Sequence, residues 1–340
     1  MIRGADPAVD QTRPRQLGRL ALRILISAGV LTALLSMLPW DQVTAAASRM
    51  TLALYAGALA GFVAGHALGA FKWRTMLAAS VGGGPISVRD TAGCYGAGLF
   101  FNLFLPTVVG GDVIRATLAA RALGRTEAVV LGSVADRLID FAALAMLLGA
   151  GVLFAGAGMI GWAGPLAGVA AIVLLGTGVL LAPLVLRHSI HRLPRRFRRP
   201  LARSRVALRR MARRPRAALL AFALAASMQC GFILIGAWLG GAVGANAPLW
   251  AWFVAWPIAK AAAMLPVSLG GLGVRDAALA AMLVPFGVPA AYGVVASLAW
   301  NAVLIGGALL GGLLAWVLRP GHRAPRPAGR PAHTHMSIAP

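Results

Sequence analysis

Apolar runs long enough to cross a bilayer recur along this 340-residue sequence. A spanning helix needs about 20 predominantly apolar residues. Six stretches reach that length, at 20–39, 50–71, 127–153, 165–186, 217–243 and 291–318. Few residues are left to face water: 12% of the chain is charged, about half the share usual in soluble domains. An ordinary soluble enzyme is therefore excluded. Cys94 and Cys230, the only cysteines, both sit in apolar stretches, which excludes a disulfide-stapled secreted scaffold. The expected fold is an all-α polytopic membrane protein.

Two further apolar stretches, 91–124 and 250–286, are interrupted midway by Pro and Gly-Gly. How they sit follows from the cations, since Lys and Arg total 32 against 9 for Asp and Glu. The first group comprises Arg3, Arg13, Arg15, Arg19 and Arg23, mostly in an N-tail over 1–19. Next come Lys72, Arg74 and Arg89, then Arg115, Arg121 and Arg125. The densest run fills a loop over 187–216, and Arg319, Arg323, Arg326 and Arg330 lie in the tail 319–340. The intervening connections, 41–49, 154–164, 244–249 and 287–290, hold only Arg49. Cytoplasmic loops carry an excess of Lys and Arg. All these groups share one side only if each broken stretch enters and leaves on the same side. The prediction is six full spans plus two re-entrant helical hairpins in the inner (plasma) membrane, with both termini cytoplasmic. An eight-span arrangement keeps the same parity but puts Arg115 through Arg125 outside.

Three smaller readings accompany this one. The segment 24–38, followed by Ala45 and Ala47, mimics a signal peptide but is read as a retained first span. The loop 187–216 is either an amphipathic surface helix drawn to anionic headgroups or an irregular basic loop. The Pro- and Arg-rich tail 319–340 is expected to be disordered. The cations flank membrane spans, so anionic lipid rather than nucleic acid is the expected partner.

The two broken stretches share a motif. Leu105-Pro106-Thr107-Val108-Val109-Gly110-Gly111-Asp112-Val113-Ile114-Arg115 aligns with Leu265-Pro266-Val267-Ser268-Leu269-Gly270-Gly271-Leu272-Gly273-Val274-Arg275 at an offset of 160 residues. Pro, the Gly pair and Arg in register indicate a duplication, with repeats over about 20–153 and 165–318. Three full spans accompany each motif, and an odd number of crossings makes the second repeat inverted. Pro breaks the helix, Gly-Gly permits a tight reversal, and the freed N–H groups of the following half-helix can hold an anion. Arg115 and Arg275 then add a fixed positive charge suited to phosphate.

In order, Phe71-Lys72-Trp73-Arg74 with Leu77, Asn102-Leu103-Phe104-Leu105-Pro106 into Gly110-Gly111-Asp112 and Arg115, Asp136-Arg137 with Asp140, and Leu265 through Asp276 resemble the transmembrane region of lysylphosphatidylglycerol synthases, a flippase-like family. The resemblance covers about residues 20–318. It departs from the usual pattern at Asp112 and Asp276, where the family often has Glu. The resemblance implies lipid translocation but carries over no cargo; the expected partner is a membrane phospholipid or polyprenyl-type lipid. The full-length synthases add a soluble aminoacyl-transfer domain, which this chain is expected to lack, so synthase activity is not expected.

Asp136, Arg137 and Asp140 lie deep in the 127–153 span. Asp136 and Asp140 share a helix face, and Arg137 is placed to pair with Asp140. Charge at that depth marks a pathway unless it is an interhelical lock. Lys260, midway in the second broken stretch, is read the same way. Asn102 and Ser268 either donate to a headgroup or satisfy broken backbone, while Gly110, Gly111, Gly270 and Gly271 shape the reversals. His66 is read as a proton relay or a satisfied core histidine. Trp40, Trp250, Trp252 and Trp256 are expected in interfacial belts. No metal cluster, P-loop or nucleophile elbow occurs, so no cofactor and no catalytic role are expected, and a lipid-linked transferase is disfavoured. The leading function is a lipid flippase moving an anionic or phosphate-bearing lipid between leaflets. The alternative is a non-transporting accessory protein that scaffolds or regulates a lipid-modifying or glycosyl-transferring enzyme.

Overall fold

The computed structural model describes residues 40–82, 86–105, 110–155, 195–263 and 273–318. The expected spans 20–39 and 165–186, the two tails and the motif tips 106–109 and 264–272 lie outside the described residues. Among the described residues every element is helical. Their ten α-helices, in chain order, are α1 Trp40–Ala47, α2 Leu52–Val81, α3 Val88–Phe101, α4 Gly110–Leu123, α5 Thr126–Ala155, α6 Arg195–Ala212, α7 Pro215–Val243, α8 Leu249–Ala262, α9 Val274–Leu283 and α10 Ala290–Leu318.

Four of them, α2, α5, α7 and α10, are long and apolar enough to cross a membrane. The protein is a polytopic helical membrane protein. Helix α2 runs ten residues past the expected end at 71 because no breaker occurs before Gly82, whose φ of 65° closes the helix. Thr51 caps its start by accepting the Leu54 N–H at 3.2 Å. Helix α7 opens with Pro215 in its first turn and closes at Gly244, the asymmetry expected of Pro and Gly.

The motif breaks appear as pairs of short helices. Helices α3, α4 and α8 have 14 residues each and α9 has 10. A 14-residue helix is about 21 Å long, short of the roughly 30 Å hydrocarbon core. Within each pair the two helices pack on each other. Helix α3 starts beside the end of α2, where Arg74 Nε donates to the Ile86 carbonyl. Helix α4 runs through Gly124 into α5, and Arg125 Nη1 donates to the Val81 carbonyl. The α3–α4 pair thus begins and ends at one end of the molecule. The α8–α9 pair does so at the other end, where the Trp250 and Phe286 ring centroids lie 5.0 Å apart.

Packing among eight helices is unchanged when α2–α5 are exchanged for α7–α10. Helix α3 lies on α10 as α8 lies on α5, α2 on α5 as α7 on α10, α4 on α5 as α9 on α10, and α2 on α7. The α2–α7 contact runs over Gly57, Gly61, Gly65 and Gly69, which face Trp238, Ile235, Phe232 and Met228. Without a hydrophobic force between lipid-bathed helices, such small-residue stripes allow dispersion contact. Helices α3 and α10 approach backbone to backbone: a Cβ on Gly96 would sit 2.5 Å from the Gly311 carbonyl oxygen.

Several expectations are corrected here. The 41–49 connection contains helix α1. Of the two readings of the basic stretch 187–216, the helical one holds over Arg195–Ala212, where helix α6 packs on α2, α5 and α7. Trp252 and Trp256 are not interfacial; both are buried, fitting against Gly240 and Gly236 of α7. Trp40 is exposed. Lys72 is no loop cation: α2 carries it into the interior, where it is 1% exposed. Arg115 is likewise buried.

Candidate functional site

A cavity of about 240 Å³ lies between the two sets of helices, reached by α2, α3, α4 and α5 from one side and α7, α8, α9 and α10 from the other. Phe62, Phe232, Trp256 and Trp300 give it an apolar wall. Arg115, Arg137, Lys260 and Arg275 also line it, with Asp112, Asp136 and Asp140.

The first charge cluster joins α2, α4 and α5. Asp112 sits in the first turn of α4, where the helix dipole favours a carboxylate, and Arg115 one turn later lies 3.0 Å from it. Arg115 also donates to Asp136 Oδ2 at 2.9 Å. Its guanidinium rests against the rings of Trp73 and Tyr95, 4.9 and 5.1 Å from their centroids, and Trp73 Nε1 donates to Ser133 Oγ. Lys72 Nζ lies 3.0 Å from Asp136 and 2.5 Å from Asp140. Arg137 bonds Asp112, while its contact with Asp140 is the longer one at 3.8 Å. The expected Arg137–Asp140 pair is therefore secondary, because Asp140 is taken by Lys72. Three cations meet three carboxylates, so this cluster is neutral as a whole. Arg115 Nε, Arg137 Nε and Asp112 Oδ2 are buried and have no hydrogen-bond partner among the described residues.

The second cluster is built differently. Asp276 accepts from the Gly273 N–H at 3.0 Å, from Ser297 Oγ and from Asn301 Nδ2 at 3.2 Å. Arg275 bonds Asn301 Oδ1 and lies 3.6 Å from Asp276. Lys260 Nζ donates to Gln229 Oε1 at 2.8 Å, a neutral partner. Among the described residues no carboxylate pairs with Lys260, so the cavity carries one cation more than its carboxylates balance.

Sequence placed the N–H groups of the second half-helices as anion donors, and the geometry reassigns two of them. Asn102 Oδ1 accepts the Gly111 N–H at 2.8 Å, and Asp276 takes the Gly273 N–H. Each side chain satisfies one of the donors that a helix start leaves orphaned, while the side chains of Arg115, Arg137, Lys260 and Arg275 bring positive charge to the cavity. Gly110 opens α4, and Gly111 lies under the Gly98 carbonyl, where no Cβ fits. Ser268, Gly270 and Gly271 lie outside the described residues. His66 Nδ1 is 3.2 Å from Tyr95 Oη, inside the cavity wall rather than against a backbone carbonyl. Sequence reasoning missed Lys72, Gln229, Ser297 and Asn301 as site residues. A lysine with no breaker before it, and an amide inside an apolar span, were the available signals. Among the described residues no cluster of His, Cys, Asp or Glu could hold a metal ion.

The family model for the lysylphosphatidylglycerol synthase transmembrane region matches residues 20–312. The chain belongs to this family. The matched span contains both motifs and every charged residue of the two clusters. The family model describes a membrane region, in line with the four membrane-length helices. No curated protein and no solved structure matches the chain.

Proposed function

We propose that the protein is a lipid translocase of the inner membrane, moving a phosphate-bearing anionic lipid headgroup between leaflets through the central cavity. The observation that carries this reading is Lys260, a cation facing the cavity whose hydrogen-bond partner among the described residues is the neutral Gln229. A buried charge is costly unless paired or hydrated, and an anionic headgroup supplies the pairing. Arg275, whose near partner is Asn301, adds a forked donor suited to phosphate. The aromatic wall offers a surface for the apolar part of the same molecule. Membership in a membrane-region family supports the reading.

In the proposed architecture each half holds three full spans and one re-entrant hairpin, and the halves form an inverted repeat. The exchange-invariant packing and the opening of the short pairs toward opposite ends support it. The end carrying Arg74, Arg89, Arg121, Arg125 and α6 is assigned to the cytoplasm by the positive-inside tendency. Headgroups compete with Asp112 for Arg115 and Arg137, and their transfer to and from Lys260 and Arg275 carries them across.

The test is leaflet exchange of a fluorescent phosphatidylglycerol in proteoliposomes. Lys260→Met and Arg275→Gln should each lower the rate on the order of tenfold, the loss of about one charge-assisted contact, with the protein still assembled. Wild-type rates in both variants would overturn the assignment. A wild-type protein that binds the lipid without exchanging it would indicate the accessory role instead.

A further inference from the structure

A second groove, of about 470 Å³, shares no lining residue with the central cavity and lies between the α4–α5 junction and helix α6. Arg125, Glu127, Arg203 and Arg210 line it. Glu127 is engaged with Arg203 at 3.1 Å. Arg125 and Arg210 have no carboxylate partner among the described residues. Each instead donates through Nη1 to the same acceptor, the Val81 carbonyl, at 2.7 Å. The two donating nitrogens are thus held no farther apart than twice that distance. The last carbonyls of α2 draw cations, but a neutral acceptor does not cancel two like charges. Glu127 leads into an exposed apolar track on α5: Val130 and Val134, three and seven residues on, are 48% and 50% exposed, and that spacing keeps them on one face. Val206 of α6, also exposed, stands at the groove itself.

We propose that this groove is a binding site for the phosphate of an anionic membrane lipid, separate from the transport cavity. Arg125 and Arg210 hold the phosphate between them, and the Val130–Val134 face receives an acyl chain. The track distinguishes a lipid from a free phosphate ion, which needs no apolar surface. Bound there, the lipid bridges α6 to the junction of α4 and α5 and neutralises the charge gathered at the end of α2.

The experiment uses the full chain in nanodiscs of phosphatidylcholine and phosphatidylglycerol, with a photoreactive benzoylphenylalanine at position 206. Crosslinks should form preferentially to phosphatidylglycerol. Arg125→Gln with Arg210→Gln should reduce them on the order of tenfold, from roughly one kilocalorie-scale interaction lost per arginine. Arg209→Gln with Arg213→Gln, which removes two exposed arginines outside the groove, should leave them unchanged. An equal loss in both pairs would reduce the effect to diffuse charge and overturn the site. Displacement of the lipid by inorganic phosphate would make the ion the ligand and overturn the lipid assignment. Lack of preference for phosphatidylglycerol in the otherwise unmutated protein would overturn it as well, whether or not the arginine variants fold.

Discussion

At the scale of single residues, the two clusters respond oppositely to loss of charge. Asp136 is 1% exposed and holds both Lys72 and Arg115. Asp136→Asn leaves two buried cations short of a partner, and breaking a buried pair costs about 3–5 kcal/mol. The melting temperature in detergent should fall steeply. Asp140→Asn strands chiefly Lys72, its 2.5 Å partner, so Lys72→Met should recover part of the stability lost in Asp140→Asn. No recovery in that double variant would mean the two residues are not energetically coupled. Lys260→Met behaves the other way: it removes a charge that no described carboxylate balances, so the protein should be no less stable than wild type while lipid exchange falls. A strongly destabilised Lys260→Met would show that Lys260 has a structural partner.

At the scale of elements, close approach of backbones decides which helices meet. Gly96 and Gly311 let α3 lie directly on α10. Gly96→Leu places a side chain where the Gly311 carbonyl stands and should cost at least the upper end of the roughly 1–3 kcal/mol of overpacking. A Cβ added at Gly149 of α5 or Gly231 of α7 would meet nothing within 4 Å. Gly149→Ala and Gly231→Ala should stay within about 1 kcal/mol of wild type, on the stabilising side. Melting temperatures of the three variants separate the classes. Equal losses in all three would mean that the backbone approach at Gly96 does not set that position apart from the open ones.

At the scale of the whole molecule, the described arginines outside the cavity gather at one end. Arg74, Arg89, Arg121, Arg125 and the arginines of α6 occupy it, while Arg49 lies at the other, near Gly244 and Tyr292. In a background with Cys94 and Cys230 replaced, cysteines at positions 121 and 213 should react with an impermeant maleimide only from the cytoplasm. A cysteine at 246 should react only from the opposite side. Labelling of 121 and 246 from the same side would rule out the proposed topology.

The sequence by itself determined the class of fold, where the four described long helices run and where two of its stretches break. Hydropathy and helix breaking are local: they depend on twenty consecutive side chains or on one Pro and one Gly pair, and a linear scan reads them directly. The asymmetry of arginine was legible for the same reason. The pairing of charges was not. Lys72 and Asp140 are 68 residues apart, and whether they meet depends on how far α2 and α5 are rotated about their axes. That rotation is set by packing, including the glycine stripe that α2 presents to α7. The charge of the cavity is likewise a sum over helices from both halves, fixed by which cations reach a carboxylate and which, like Lys260, reach only an amide. Only the tertiary structure decides that sum, because ionic attraction acts across space between residues whose separation along the chain carries no information about their distance.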